Sequence, residues 1–404
     1  MTPLRKVVFF ITCCFLVMGR PISHVDAGGL LQLYHDPRNP HFDWNWNKVI
    51  ANLPKIKASG YTAILISPHQ KACGGQWSVG YDPYDFREFN SSHGSHNDLK
   101  TLVEKTHQQG LQIYADMVMN HMCINNFQYP RFSKDDFHHD GGISNWNDPA
   151  QLENGSVFGL EDLRQESPYV RGELWNYLVK TNDMGFDGYR WDAAKHVPKW
   201  FWNNHIVPNV NAWGKYNFGE VYDSNIALLQ TYVDTGMAVT DYNLYFAMKD
   251  AFRFGGNLAV LDGAGFAAVN GSKALTFVQN HDVGPPDDRL LAYAFIASYP
   301  GYPLFFDVSL NDPTMNNLVW IQNNLAKGRY VSRYNDQHTL IYERDHHLLV
   351  GINQNGQWAN RWVQTSWKNT ALHDYTGHVQ DVFVNNDGYV EIRLPPFSYV
   401  MLAP

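Results

Sequence analysis

Cysteine is scarce in this chain, basic clusters are missing, and long apolar runs stop after the N-terminus. Only four cysteines occur in 404 residues, and Cys13 and Cys14 fall in the N-terminal apolar run. That leaves Cys73 and Cys123, enough for at most one bridge in the rest of the chain. No run of Lys or Arg is present, and the formal net charge is −8. Phosphate binding needs clustered cations, so nucleic acid and anionic membrane surfaces are excluded as partners. No low-complexity tract appears. No apolar stretch beyond the N-terminus is long enough to span a bilayer.

The N-terminus itself reads as a secretory signal over residues 1–27. Arg5 and Lys6 supply charge, residues 7–18 form a short apolar run, and Val25-Asp26-Ala27 offers a cleavage site. A membrane anchor is the competing reading, which the shortness of the run disfavours. A secreted, extracellular protein is therefore expected, without membrane attachment after signal removal. In that compartment Cys73 and Cys123 are expected to form a disulfide, with two free buried thiols as the alternative. Sequons at Asn90, Asn154 and Asn270 point to a glycoprotein, though so short a motif also arises by chance. Thirteen Trp and 23 Tyr fill a core or line a sugar cleft, and the count alone does not decide.

Short β-rich runs alternate with helix-like segments. Strands are expected over residues 29–34, 61–67, 111–118, 186–191, 216–221, 239–244, 275–279 and 303–308. Helical spacing fills residues 46–58, 97–109 and 170–181. Eight strands with intervening helices predict an α/β fold, a closed (β/α)8 TIM barrel. A doubly wound open sheet competes, but no glycine-rich phosphate turn follows the first strand. Residues 121–162 lack a clear helix and form too long a loop for a connection, so they are expected to be a short inserted lobe after strand 3. The barrel then comprises residues 28–120 and 163–333. Alternating runs separated by turns predict a C-terminal all-β domain over residues 334–404.

In such a barrel, chemistry sits at the C-terminal ends of strands. The third run ends in Asp116, Asn120 and His121. The fourth ends in Arg190 and Asp192, within "GFDGYRWDAAKH". The fifth ends in Glu220, and the seventh in Asn280, His281 and Asp282. Closure would gather these groups on one face. Glycoside hydrolysis requires two flanking carboxyl groups, and Asp192, Glu220 and Asp282 offer three. A carboxylate beside Arg190 is expected to be held ionised, as a nucleophile must be. A partly desolvated glutamate near like charges is expected to hold its proton, as a general acid must. Any one of these residues alone could equally cap a helix or form a surface ion pair.

The sequence resembles the α-amylase family of glycoside hydrolases at four short motifs that occur in order. They are Asp116-Met117-Val118-Met119-Asn120-His121, the run from Gly188 to His196 ("GYRWDAAKH"), Gly219-Glu220-Val221, and Phe277-Val278-Gln279-Asn280-His281-Asp282. The resemblance covers nearly all of the chain after the signal. It implies retaining endo-hydrolysis of α-1,4-glucosidic bonds in starch or glycogen, with α-glucan as substrate and a monomeric enzyme. Asp192 would be the nucleophile, Glu220 the acid and then the base, and Asp282 a third carboxylate that binds sugar hydroxyls. Arg190 would orient Asp192, while His121 and His281 would bond the sugar. Tyr81, in "GYDPYDF", would form the aromatic platform, and Lys195 and His196 would line the leaving-group side. A calcium ion is implied between barrel and lobe, held by Asn120, Asp162 and the carbonyls of His196 and Glu153. Asp162 also reads as a helix N-cap. Chloride binding in the family uses a second basic residue after the eighth strand. No Arg or Lys lies between Arg289 and Lys327, so chloride is not expected. Tyr189 and Trp191 stand where smaller or different apolar residues are commoner in the family, so unusual packing is expected behind Asp192. An α-glucosidase or transglycosylase would use the same three carboxylates. An inactive carbohydrate-binding relative would have lost one, and none is lost here.

Overall fold

A computed structural model describes residues 28–404. The signal peptide, its cleavage site, Cys13 and Cys14 lie outside the described residues. Eight parallel strands close into a barrel: β1 (Leu30–Leu33), β2 (Ala63–Ile66), β3 (Gln112–Val118), β4 (Gly188–Asp192), β5 (Tyr216–Gly219), β6 (Ala238–Thr240), β7 (Ala274–Phe277) and β8 (Tyr302–Phe306). Each strand pairs with its neighbours in sequence, and β1 pairs with β8 to close the ring.

The period-2 alternation of a strand sorts the side chains into two layers. Ile113, Ala115 and Met117 of β3 face outward, and so do Tyr189 and Trp191 of β4, all in the core under the helices. Tyr114 of β3 and Phe218 of β5 face inward and fill the barrel with Leu65, Phe277 and Leu304. Gly188 also faces inward, where a Cβ would lie 2.7 Å from the Tyr114 ring. Following that parity upward along β4, the next inward positions are Arg190 and Asp192. Behind them Tyr189 stacks on Trp191 at 5.3 Å, and Trp191 leans on Trp202 at 5.4 Å. Trp191 Nε1 donates to Asn217 Oδ1 at 3.2 Å. The large residues behind Asp192 thus form a continuous aromatic wedge.

Helices α1 (Trp46–Ala58) and α2 (His96–Gln108) begin where the sequence supplies caps. Asn45 accepts from the Lys48 N–H, and Ser95 with Asp98 forms a capping box. Helix α3 (Pro149–Asn154) lies inside the stretch expected to lack a helix; Asp148 caps it and Pro149 starts it. Helix α4 (Pro168–Asp183) leads into β4. The sixth strand was expected to run to residue 244 but stops at Thr240. The Asp241 carboxylate accepts from Leu244 N–H and starts the helix Tyr242–Ala251 instead.

The C-terminal sheet holds β9 (Tyr330–Asn335), β10 (Thr339–Arg344), β11 (Leu348–Asn353), β13 (Thr370–Asp374), β14 (Val382–Val384) and β16 (Ser398–Ala403). A separate antiparallel pair, β12 (Ala359–Gln364) with β15 (Tyr389–Leu394), covers one face of it. Their shared core includes Ile341, Leu349, Val363, Ile392 and Leu402. Cys73 and Cys123 are bridged, with Cα atoms 6.2 Å apart. No helix among the described residues is long and apolar enough to cross a membrane.

Candidate active site

Register brings the motifs side by side. Asp116 of β3 pairs with Arg190 of β4, and Val118 pairs with Asp192. Trp191 pairs with Gly219, so Glu220 follows directly beside Asp192. Gly219 is required there, because a Cβ would meet Met237 Sδ at 2.7 Å and Ala194 Cβ at 3.0 Å. Ala193 adopts the left-handed conformation (φ 47°), which costs a non-glycine residue about 1–3 kcal/mol. That turn aims its N–H at Glu220 Oε2, 3.0 Å away.

One guanidinium joins three carboxylates. Arg190 Nη1 donates to Asp116 Oδ1 at 2.6 Å and to Asp192 Oδ1 at 2.9 Å. Its Nη2 lies 3.0 Å from Glu220 Oε2. Arg190, Asp116 and Asp192 are all buried. Burial pushes Asp116 up to about 6 against the pull of Arg190 and the Tyr81 hydroxyl. Burial also drives Asp192 well above the usual carboxylate range; Arg190 opposes this, and Glu220 and Asp116 reinforce it. The expectation that Arg190 would simply hold Asp192 ionised is therefore corrected: in the empty cleft one cation is shared among three anions.

A cavity of about 740 Å³ opens above this cluster. Tyr81, His121, Asp192, Lys195, His196, Glu220, His281 and Asp282 all line it. Arg190 lies beneath it. Asp282 is half exposed across the cavity, with Oδ2 3.3 Å from His281 Nε2. Burial raises Asp282, with Arg190 opposing. Gln32 Nε2 donates to His281 Nδ1 at 2.9 Å, and burial pushes His281 down to about 3. That ring is neutral, and its proton sits on Nε2, facing the cavity side. Tyr81 stacks on His281 at 4.9 Å and donates to Asp116 Oδ2 at 2.7 Å. His121 Nε2 donates to the Tyr81 carbonyl at 3.1 Å, and its Nδ1 then accepts from Asn120 Nδ2 at 3.3 Å. Both nitrogens of His121 are thus engaged within the protein. Lys195 Nζ is held by Asp223 at 2.7 Å, and His196 Nδ1 bonds the Leu152 carbonyl at 3.1 Å.

Several participants were not identified as site residues from sequence. Asp116 anchors Arg190, and Gln32 fixes the His281 tautomer. Tyr242 links Asn280 to Glu220: Asn280 Nδ2 donates to its hydroxyl at 3.3 Å, and the hydroxyl donates to Glu220 Oε1 at 3.4 Å. Trp146, Phe158 and Tyr222 rim the cavity from loops. For Asp116 the parity with Arg190 was the available signal; for the loop rings there was none.

The residues expected around calcium divide in two. Asn120 and Asp162 meet: the Leu163 N–H donates to the Asn120 carbonyl at 2.9 Å, and Asp162 pairs with His121 in a two-residue ladder. Asn120 Oδ1 and Asp162 Oδ1 are buried and lack a hydrogen-bond partner. The amide of Asn120 is turned toward His121, which leaves that Oδ1 free. His138 Nδ1 takes the other carboxylate oxygen of Asp162 at 2.7 Å. Glu153 is half-buried in α3 and makes no hydrogen bond or ion pair with Asn120 or Asp162. Among the described residues no group of three His, Cys, Asp or Glu side chains is arranged to hold a metal. Amide and carbonyl oxygens lie outside that set.

Comparison with known proteins bears on this arrangement. The family model "Alpha amylase, catalytic domain" matches residues 38–252, more than half of the chain. The chain belongs to the α-amylase family of glycoside hydrolases. A second model, "Alpha-amylase C-terminal", matches residues 348–402 of this α-amylase family member. An α-amylase of Aeromonas hydrophila is 27% identical, over 86% of this chain and 88% of that one. A β/α-amylase of Paenibacillus polymyxa is 28% identical over 96% of this chain, which spans only 34% of that longer protein. The crystal structure of the Geobacillus thermoleovorans α-amylase complexed with acarbose superposes with a TM-score of 0.82. It is 24% identical and covers 94% of this chain and 98% of its own. That likeness speaks to the fold.

Proposed function

We propose that this protein is a retaining α-amylase that cleaves internal α-1,4-glucosidic bonds of starch or glycogen. The observation that carries the reading is the grip of Arg190 on both Asp192 and Glu220 below a cavity that Asp282 also faces. Asp192 attacks the anomeric carbon of the bound glucosyl unit. Glu220 gives its proton to the departing glycosidic oxygen as that bond breaks. Water then enters, Glu220 takes its proton back, and the resulting attack at the anomeric carbon frees Asp192. Two inversions return the original α configuration. One guanidinium against three carboxylates leaves a proton to be kept in the cluster, and the reaction needs it on Glu220. Asp282 and the neutral His281 bond the sugar hydroxyls, and Tyr81 packs beside the ring. His121 would have to release the Tyr81 carbonyl or Asn120 to do the same. Lys195 and His196 face the leaving-group side.

The partnerless oxygens of Asn120 and Asp162 fit a calcium ion, since hard cations take oxygen donors. The backbone carbonyl of His196 is the next donor, with Glu153 further off. Such an ion would tie the loop to the barrel; it takes no part in the bond chemistry. Secretion by way of a signal in residues 1–27, glycosylation at the exposed Asn90, a monomeric state and the division into barrel, lobe (121–162) and β domain (334–404) belong to the same proposal.

Incubation with soluble starch, maltose or buffer tests it. Rapid loss of iodine staining with release of oligosaccharides is expected. Activity on maltose alone would replace the reading with an α-glucosidase, and no activity on either would replace it with a binding relative.

A further inference from the structure

The C-terminal domain carries a second groove, of about 720 Å³, far in sequence from the barrel carboxylates. Its floor is the outward face of β12 and β15. Register sets Asn360 opposite Arg393 and Trp362 opposite Glu391 on that face, while Val363, Val390 and Ile392 point into the core. Trp358 and Phe383 flank it. The three rings are 58%, 65% and 63% exposed for Trp358, Trp362 and Phe383.

Exposed aromatic surface of this extent on a small β domain is unfavourable unless something covers it. None of these rings packs on another; the ring contacts of this domain involve Tyr375, Trp367 and Tyr399 with Trp320 and histidines instead. Neither indole N–H has an acceptor within the described residues. The charges around the rings cancel locally. Arg393 pairs with Glu391 at 3.1 Å, and Asp381 pairs with His373 at 2.7 Å. A charged partner finds no unpaired charge here. Separated flat rings with donors and acceptors at their edges match a neutral polymer that has apolar C–H faces and hydroxyl rims.

We propose that this groove is an auxiliary binding surface for an α-glucan chain, holding the polymer while the barrel cleaves it elsewhere. The inference rests on the reading of the barrel site as an α-glucan hydrolase. Aromatic stacking supplies the affinity, and the paired polar groups bond the hydroxyls.

The test uses the full chain with Glu220→Gln, so that granular starch is not consumed. Replacing Trp358, Trp362 and Phe383 together by Ala should weaken adsorption to granules about tenfold or more. With Glu220 restored, the same triple replacement should leave kcat/KM on maltoheptaose within about twofold, which also reports an intact fold. Trp362→Tyr keeps a ring and should adsorb like the parent. Unchanged adsorption in the triple variant overturns the groove, and so does equal loss in Trp362→Tyr and Trp362→Ala. A dimer seen by light scattering that the triple variant abolishes, with adsorption intact, assigns the face to self-association and also overturns it. Failure of the unaltered protein to cleave maltoheptaose would remove the barrel reading, and is read separately from adsorption.

Discussion

Replacing Arg190 by Gln removes the one cation shared by Asp116, Asp192 and Glu220 while keeping much of the side-chain volume. Three anions then stay in a buried cluster without their partner. Breaking a buried pair in this way costs about 3–5 kcal/mol. The cost should depend on pH with a definite sign. Asp116, at about 6, and Asp192 both sit above their unfolded values because of burial. The stability such groups contribute is fully present below the unfolded carboxylate value and is lost as pH rises through the folded one. Arg190 holds both values down, so its loss raises them further. The penalty should therefore be largest near pH 8 and shrink toward pH 5, by up to about 1.4 kcal/mol per pH unit for each extra proton bound. Urea unfolding of parent and variant at pH 8, 6.5 and 5 measures it. A penalty below about 1 kcal/mol at pH 8, or one that grows on acidification, would show that Arg190 is not the electrostatic anchor of the cluster.

Chelation should lower the thermal midpoint, since an ion present at a hundredfold its dissociation constant adds about 2.7 kcal/mol; an unchanged midpoint in EDTA removes calcium from Asn120 and Asp162. Burial holds His69 down to about 3, where it bonds Thr181 in the core. Its stabilising share is present above about 6.5 and lost as pH falls toward 3, so His69→Asn should cost most at pH 7.5 and progressively less below 6.5, by about 1.4 kcal/mol per unit. A parallel pair of stability–pH curves would contradict that. Trp146 is half exposed at the cavity rim and edge-on to His196 at 5.8 Å. Trp146→Ala should raise KM for maltoheptaose about tenfold with kcat little changed, and steady-state kinetics on the oligomer decides it.

Much of the site was legible because strand geometry is periodic. The inward parity of Arg190 and Asp192 follows from Tyr189 and Trp191 facing the helices, and four polar strand ends converge once the barrel closes. The same parity on β3 carried Asp116, whose role was missed because an acid inside a strand has no motif of its own. The sixth strand was overextended past Asp241, whose capping carboxylate stops it after three residues. Helix α3 was missed although Asp148-Pro149 is a start signal, since six residues are too few to display a period. Trp146, Phe158 and Tyr222 reach the cavity from loops, where spacing encodes nothing about direction. The balance of charges also escaped the sequence, because how Arg190 is shared depends on three chain segments meeting.

The nucleophile assignment can be read from a covalent adduct. Full-length protein carrying Glu220→Gln is incubated with an activated fluorinated α-glucosyl donor, digested and mapped by mass spectrometry. One glycosyl unit on the peptide that contains Asp192, abolished by Asp192→Asn, is the expected outcome. An adduct on Asp282 or Asp116, or turnover without Asp192, would contradict the assignment.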